Sequence, residues 1–399
     1  MTGPGDLLDV AVVGGGPAGA ATCLRLATSG LRVGLFERSH FQAPRVGEVL
    51  APPVSDLLRR LGVGEDFERA GFLRSHGVSS VWGSDRVAFR DFVFGSHGWG
   101  WHVERRALDA LLCTAASAGS TDVHLGAVVR SCRHDPGLGW CLTVAQAGQI
   151  RTYRARFLVV ATGRAGLRGT FLDRTRLRDD RLVGLVRYFD ATGSAMPHTR
   201  ACIQAVRDGW WYAARLPDDV LVAAYLTDAD LLPRPGPRTE AMWSSLVESA
   251  PLIRSLLHDQ APRSSPRLVA AGSWRRVQVA GNHCVAVGDA AMAFDPLSGQ
   301  GVYRALESGM RAADAIGRTV EGNQRALSDY AAWVQATYEA YRRERRWTYR
   351  LEHRWPSSTF WARRHGTLPP RPGRRCLSDG LATDRFQGLF WPLARPQSA

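Results

Sequence analysis

Residues 10–37 read VAVVGGGPAGAATCLRLATSGLRVGLFE, and this stretch restricts the fold more than any other. A short apolar β run at 10–13 leads into Gly14, Gly16 and Gly19, a helical run follows, and a second β run at 31–36 ends at Glu37. Together they form a βαβ unit, and the chemistry of a dinucleotide explains the spacing. The first glycine permits a tight turn and the second lets backbone approach a pyrophosphate. The third lets the helix pack on the strand, with the helix amino end facing the phosphates. An acid about 20 residues further on can accept the ribose hydroxyls, and Glu37 occupies that place.

With 399 residues the chain has room for two domains around a large core. A net charge of +14 would ordinarily point to nucleic acid, but all 51 basic residues are arginine and none is lysine. A total absence of lysine reads as a coding bias rather than a phosphate-binding design, so no nucleic-acid partner is expected. The seven cysteines (23, 113, 132, 141, 202, 284 and 376) include no CxxC and no Cys/His cluster at metal-ligand spacing. Free thiols in a reducing compartment and no metal are the expectation. No apolar run reaches the roughly 18 residues of a membrane-spanning helix. The opening MTGPGDLLDV carries acids and no basic region, so a cytoplasmic protein with no membrane partner is expected.

Along the chain, Arg45 follows the second strand closely enough to reach back to a pyrophosphate. Residues 78–94 alternate as strands, with Trp82, Phe89, Phe92 and Phe94 lining one or both faces of a sheet outside the nucleotide fold. Arg105 precedes an amphipathic helix carrying Leu108, Leu111 and Leu112. A strand-like pair follows at 122–129 and 140–145, then a continuous apolar run at 155–162 that reads as a buried parallel strand. Residues 182–226 read as an antiparallel sheet with turns at 190–197, 207–209 and 217–219, followed by a helix at about 239–257. No second GxGxxG unit marks a nicotinamide domain. The stretch 284–310, CVAVGDAAMAFDPLSGQGVYRALESGM, is a strand ending at Asp289, an irregular loop at 295–301 and a helix. A buried Asp there can bind a ribityl hydroxyl, and the positive helix end opened by Gly299 and Gly301 can face a reduced flavin. From 327 the chain reads as helical to about 355 and then turns Pro-rich at 368–375. Trp347, Trp355 and Trp361 among its arginines favour a helical lid over base stacking.

With these residues in view, the chain resembles the FAD-dependent monooxygenases of the p-hydroxybenzoate hydroxylase type and their relatives, the flavin-dependent halogenases, from about residue 8 to 325. The carriers are GGGPAG with Glu37, the Arg45 and Arg105 segments, and GDAAMAFDPLSGQG. RVGEVLAPP, GWHVERRALD, DPLSGQG and EHRWPSSTFWARRH look similar to a narrower group, the flavoproteins that oxygenate a tryptophan within a partner protein while maturing quinone-cofactor amine oxidases and dehydrogenases. The resemblance implies an α/β architecture: a Rossmann-like FAD-binding domain (1–75, 100–175 and 275–325), an antiparallel-sheet substrate domain (76–99 and 176–274) and a C-terminal helical lid with a Pro/Arg-rich tail (326–399).

It implies FAD, reduced by NAD(P)H directly or by a separate flavin reductase. Reaction with molecular oxygen would then give a C4a-hydroperoxyflavin that hydroxylates an electron-rich aromatic. Gly14, Gly16, Ala18 and Gly19 would hold the pyrophosphate and Glu37 the adenosine ribose, with Arg38 beside it. Arg45 and Arg105 would assist the phosphates, Val129 would meet the adenine, and Asp289 the ribityl chain. Gly301 and Val302 would face the isoalloxazine, and the carbonyl of Pro296 would lie near the substrate. His97, His102 and Tyr212 are the candidate proton-handling groups.

Three departures bear on the reaction. Halogenases use a lysine, and there is none here. Their WxWxIP motif would fall on 210–215, where Tyr212, Ala214 and Arg215 replace Trp, Ile and Pro. The strand at 155–162 runs into ATGRAG without the DG signature of aromatic hydroxylases, so direct reduction by NADPH lacks its usual mark. Halogenation is disfavoured. A halogenase-like or dehydrogenating oxidoreductase and, from another class, a non-catalytic flavin redox sensor or assembly factor stand as alternatives. The arginines at 342, 343, 345, 346, 350, 354, 363 and 364 are expected to dock a macromolecule, either a polypeptide presenting a tryptophan or a carrier protein presenting another aromatic. Nothing in the sequence sets an oligomeric state.

Overall fold

The structure, a computed structural model, describes residues 7–167, 169–170, 175–191, 200–233 and 239–368. In chain order its principal elements begin with β1 (Leu7–Val13), α1 (Pro17–Leu26), β2 (Val33–Glu37), β3 (Gly77–Val81), β4 (Ala88–Asp91), α2 (Arg105–Ala118) and β5 (Asp122–Leu125). Next come β6 (Val128–Asp135), β7 (Gly139–Gln146), β8 (Gln149–Val160), β9 (Leu182–Asp190), β10 (Arg200–Val206), β11 (Gly209–Leu216) and β12 (Val220–Asp228). The chain continues through α3 (Thr239–Glu248), α4 (Pro251–Leu257), β13 (Cys284–Ala286), α5 (Gly301–Val320), α6 (Ala326–Arg350) and α7 (Thr359–His365).

The first sheet has the parallel order β13-β8-β1-β2-β5 at its centre. The first half of β8 also pairs antiparallel with β7, and β7 with β6. Val10, Ala11 and Val12 are fully buried, as a central parallel strand covered on both faces requires. Gly14 and Gly19 are sterically obligatory. Gly14 has φ +110° and a Cβ there would lie 2.4 Å from the Ala161 carbonyl oxygen; at Gly19 it would lie 1.9 Å from the Gly14 oxygen. Helix α5 packs as closely on α1, since a Cβ on Gly309 would come within 2.3 Å of the Ala18 oxygen.

The second sheet runs β9-β12-β11-β10-β3-β4, antiparallel except where β10 meets β3. Alternation splits its side chains. Leu185, Phe189, Trp211, Ala213 and Tyr225 pack with Trp243, Ile253 and Leu256 of α3 and α4. The opposite face carries Gly184, Val186 and Tyr188 on β9, Leu226, Ala224 and Val222 on β12, and Trp210, Tyr212 and Ala214 on β11, in register across the three strands.

Several expectations are corrected. The helix read at 239–257 is two helices, because Pro251 lacks the N–H that a continuous helix needs and starts α4 instead. The strand read at 122–129 divides at Gly126 (φ +69°) into β5, parallel to β2, and β6, antiparallel to β7. Of the aromatics at 78–94, Trp82 and Phe92 are buried, but Phe89 and Phe94 face solvent. The turn read at 190–197 and the Pro-rich stretch at 368–375 fall almost wholly outside the described residues. Among the described residues, no helix is long and apolar enough to cross a membrane.

The largest correction concerns the C-terminal arginines. Arg345 is buried and donates to Asp295 at 3.1 Å while also pairing with Asp180. Arg342 binds Asp179, Arg354 binds Glu352 and Asp85, and Arg363 and Arg364 close on Asp228. Trp361 is fully buried, with its indole N–H on the Val206 carbonyl at 3.0 Å. These contacts fasten α6 and α7 to the second sheet and to the loop at Asp295, with Trp347 left half exposed, and most of the charge expected to form a docking surface is internally neutralised. Removing one partner from a buried ion pair costs about 3–5 kcal/mol. Arg345→Ala should therefore lower stability in urea unfolding by about that amount, whereas Ala at the exposed Arg343 should change it by less than about 0.5 kcal/mol.

Candidate cofactor and substrate site

A cavity of about 570 Å³ runs between the two sheets, from the glycine turn after β1 to the inward face of β9, β11 and β12. Gly14, Gly16, Ala18, Glu37, Arg38, Arg45, Arg105, Val129, Asp289, Pro296, Gly301, Val302 and Tyr212 all line it. Gly19 does not, because its place is taken up by the contact with Gly14.

At the glycine end the space directly above Gly16 is open, with no atom within 4 Å of a built Cβ, and no side chain caps the amino end of α1. That leaves the first helical N–H groups for an anion. Glu37 Oε2 accepts from Gly15 N–H at 2.7 Å; Oε1 accepts from Ser39 (hydroxyl 2.5 Å, N–H 3.0 Å) and from Arg45 at 3.1 Å. Burial alone would raise this carboxyl, but those donors outweigh it and hold Glu37 below the ordinary range, so it stands ionised as a hydroxyl acceptor. Arg45 and Arg105 share the fully buried Asp109, at 2.7 and 3.1 Å, and Arg105 also donates to the Val46 carbonyl at 2.7 Å. Sequence reasoning passed over Asp109. Its signal was the four-residue spacing from Arg105 on a helix.

At the other end, Gly299 adopts φ +61° and α5 starts at Gly301, where a Cβ would again meet nothing within 4 Å. Asp295 fixes the intervening loop by accepting from Leu297 N–H at 3.0 Å. Asp289 is held by Arg164 at 3.0 Å, and Arg164 also donates to the carbonyls of Gly272 and Phe294 at 2.6 and 3.2 Å. Arg164 is the arginine of ATGRAG, and no role was read for it. The hydroxyl of Thr162, in the same wall, is buried and has no partner among the described residues.

The substrate end is apolar. Gly184, Val186, Val222, Ala224 and Leu226 form its floor, with Tyr212 among them, its phenol pushed well above the ordinary range by burial. Two of the expected proton-handling groups are elsewhere. His97 lies at the surface against Asp56 at 2.9 Å. His102 belongs to the short strand Gly100–His102, where pairing with Val49 and Leu73 turns it away from the cavity. Its Nδ1 meets the Arg215 carbonyl at 2.7 Å, and burial depresses it to about 4, so it stays neutral. A further acid lining the cavity, Glu48, is visible in RVGEVLAPP but carries no role in the sequence reading. Among the described residues no His/Cys/Asp/Glu group is arranged to hold a metal.

A dinucleotide with a flavin fits these features: an open glycine cradle, an ionised ribose acceptor, an unpartnered hydroxyl in the wall and a second uncapped helix start at the far end. The comparisons agree. Residues 7–217 match the family described as FAD binding domain. The FAD-dependent oxidoreductase LodB of Marinomonas mediterranea is 28% identical over 362 residues, covering 90% of this chain and 96% of that protein. A tryptophan 2-halogenase of Chondromyces crocatus is 26% identical over 325 residues, 78% of this chain and 62% of that protein. Among solved structures, the myxobacterial chondrochloren halogenase CndH superposes with a TM-score of 0.84 at 24% identity, covering 90% of this chain and 86% of that one, a likeness of fold. The peptidyl tryptophan dihydroxylase QhpG superposes at 0.75 with 25% identity, covering 93% and 81%. With more than half its length matched, the chain belongs to the FAD binding domain family and is an FAD-dependent oxidoreductase of the fold that hydroxylases and halogenases share.

Proposed function

We propose that this protein is an FAD-dependent monooxygenase that hydroxylates an electron-rich aromatic ring, with a tryptophan side chain of a partner polypeptide as the favoured substrate. The observation that carries the reading is one continuous cavity that joins the dinucleotide cradle to an apolar, ring-sized floor on the second sheet. When bound and reduced, FAD activates molecular oxygen for transfer to carbon. The chain's own part is to hold and to exclude. The α1 amino end with Arg45 and Arg105 receives the phosphates, and Glu37 receives the ribose hydroxyls. The α5 amino end sets a positive potential at the flavin end, and the floor of Gly184, Val186, Val222, Ala224 and Leu226 keeps water from the reacting atoms.

Halogenation is the second reading, favoured by the relatives named as halogenases. Against it, no lysine exists anywhere in the chain to handle an electrophilic halogen. The polypeptide substrate is supported by the likeness to QhpG and by the exposed apolar run of Phe89, Val93, Phe94 and Trp99, the kind of surface that binds protein. Arg164, tied to Asp289, Gly272 and Phe294 where hydroxylases carry DG, favours electrons from a separate flavin reductase over direct use of NAD(P)H.

The purified protein should be yellow and release FAD on denaturation. Glu37→Ala should weaken FAD binding by about 1.5–3 kcal/mol, roughly ten- to a hundredfold in Kd by fluorescence titration. A protein that cannot be loaded with FAD would end the proposal. Turnover in chloride or bromide should give products heavier by oxygen alone in mass spectrometry, and a product carrying halogen would transfer the assignment to the second reading.

A further inference from the structure

Glu48 is unusual among the acids of this protein. It is 4% exposed and lines the cavity between Arg105 and the floor residue Tyr212. Among the described residues no arginine forms an ion pair with it. Arg105, which faces it from α2, is engaged by Asp109 and the Val46 carbonyl. Its donors are neutral: the Tyr188 hydroxyl reaches Oε1 at 2.7 Å and the Gly47 N–H reaches Oε2 at 2.7 Å. A carboxylate oxygen accepts more than one hydrogen bond, so each keeps a free acceptor position. Burial outweighs these donors, its own N–H and the nearby Arg105 charge, and raises Glu48 above the ordinary carboxylate range. An acid kept dry without a direct ion-pair partner costs folding free energy, and such groups concentrate where a ligand uses them.

Its position follows from the sheet register. Tyr188 shares a face with Val186 and Gly184 on β9, and Tyr188 pairs with Val222 while Val186 pairs with Ala224, which in turn pairs with Tyr212. Through Tyr188, Glu48 therefore stands at one edge of a floor of small side chains on which a planar ring can lie. An aromatic ring without a polar hydrogen would leave the free acceptor positions of Glu48 unpaired and dry, whereas an indole N–H or a phenol O–H would satisfy one of them. Accepting that hydrogen also increases electron density in the ring, which is the property an electrophilic oxygenation needs.

We infer that Glu48 is a substrate-binding residue that accepts the ring N–H or O–H of the aromatic substrate, so that the cavity selects indoles and phenols over rings lacking such a hydrogen. This rests on the reading that the cavity takes an aromatic ring. The rival role is structural, with Glu48 merely tying the 45–50 segment to β9 through Tyr188.

The test uses the oxidised, FAD-loaded protein, titrated with 3-methylindole, 1,3-dimethylindole, 4-methylphenol and 4-methylanisole while the flavin absorbance is followed. The native protein should bind each N–H or O–H compound at least tenfold more tightly than its methylated counterpart. The preference should grow as pH rises through the ionisation of Glu48, which faces Tyr188, Tyr212 and Arg105, with Glu104 and Arg267 near the Tyr188 phenol. Glu48→Gln, which puts a donor in place of an acceptor, should keep its FAD and lose the preference. Tyr188→Phe removes a donor to the carboxylate, so the preference should persist but emerge at higher pH. A native protein without the preference, or a Glu48→Gln protein that loads FAD and keeps it, would overturn the inference. No turnover is involved, so a preserved preference without any oxygenated product would sink the monooxygenase reading and leave the role of Glu48 standing.

Discussion

The carboxylate of Asp295 joins the parts of this protein that must stay in register. It accepts from Arg345 and Tyr349 of α6 at 3.1 and 2.8 Å and from Leu297 N–H within its own loop, while its own N–H donates to the Tyr341 hydroxyl at 2.8 Å. Arg345 extends the network to Asp180, just before β9. One buried cluster thus fixes the loop carrying Pro296 and Gly299, the long C-terminal helix and the entry to the second sheet. Charges in so dry a place are stable only when every partner is present. The loop at the flavin end of the cavity and the strand that begins the substrate floor are therefore tied together through that cluster.

The amino-terminal half of the site was legible because its chemistry is local. Gly14, Gly16 and Glu37 lie within one βαβ unit whose spacing is dictated by a pyrophosphate and a ribose, and the strand-loop-helix around Asp289 and Gly301 is equally self-contained. The remaining groups depend on pairings across the chain. His102 looked like a pocket histidine in GWHVERRALD, yet strand pairing with Val49 and Leu73 turns it toward Arg215. Arg345 looked like one of a row of surface charges, and only the distant Asp180 and Asp295 make it internal. Glu48 and Tyr188 lie far apart in sequence and meet through a fold that periodicity does not reveal.

The second sheet shows how one set of strands can serve two purposes. Large residues on one face, Phe189, Trp211 and Tyr225, anchor α3 and α4, while Gly184, Ala224 and Val222 on the other leave room over a rigid surface. Space at the substrate end comes from small residues on paired strands rather than from a flexible loop, which suits a site that must hold a ring at a fixed distance from a cofactor.

The strand order of the first sheet also bears on how the protein is made. β1 carries the glycine turn and is made before every other strand of its sheet, yet its neighbour β8 ends at Val160, and β13 and α5, which complete the cradle, follow only after the whole second sheet. Pairings so distant in sequence form slowly, because loop-closure entropy must be overcome before they are rewarded. The nascent chain therefore exposes an apolar β1 and an empty phosphate turn until the second sheet has been made. Loading of the dinucleotide becomes a late event in biogenesis, coupled to the closure of the entire fold.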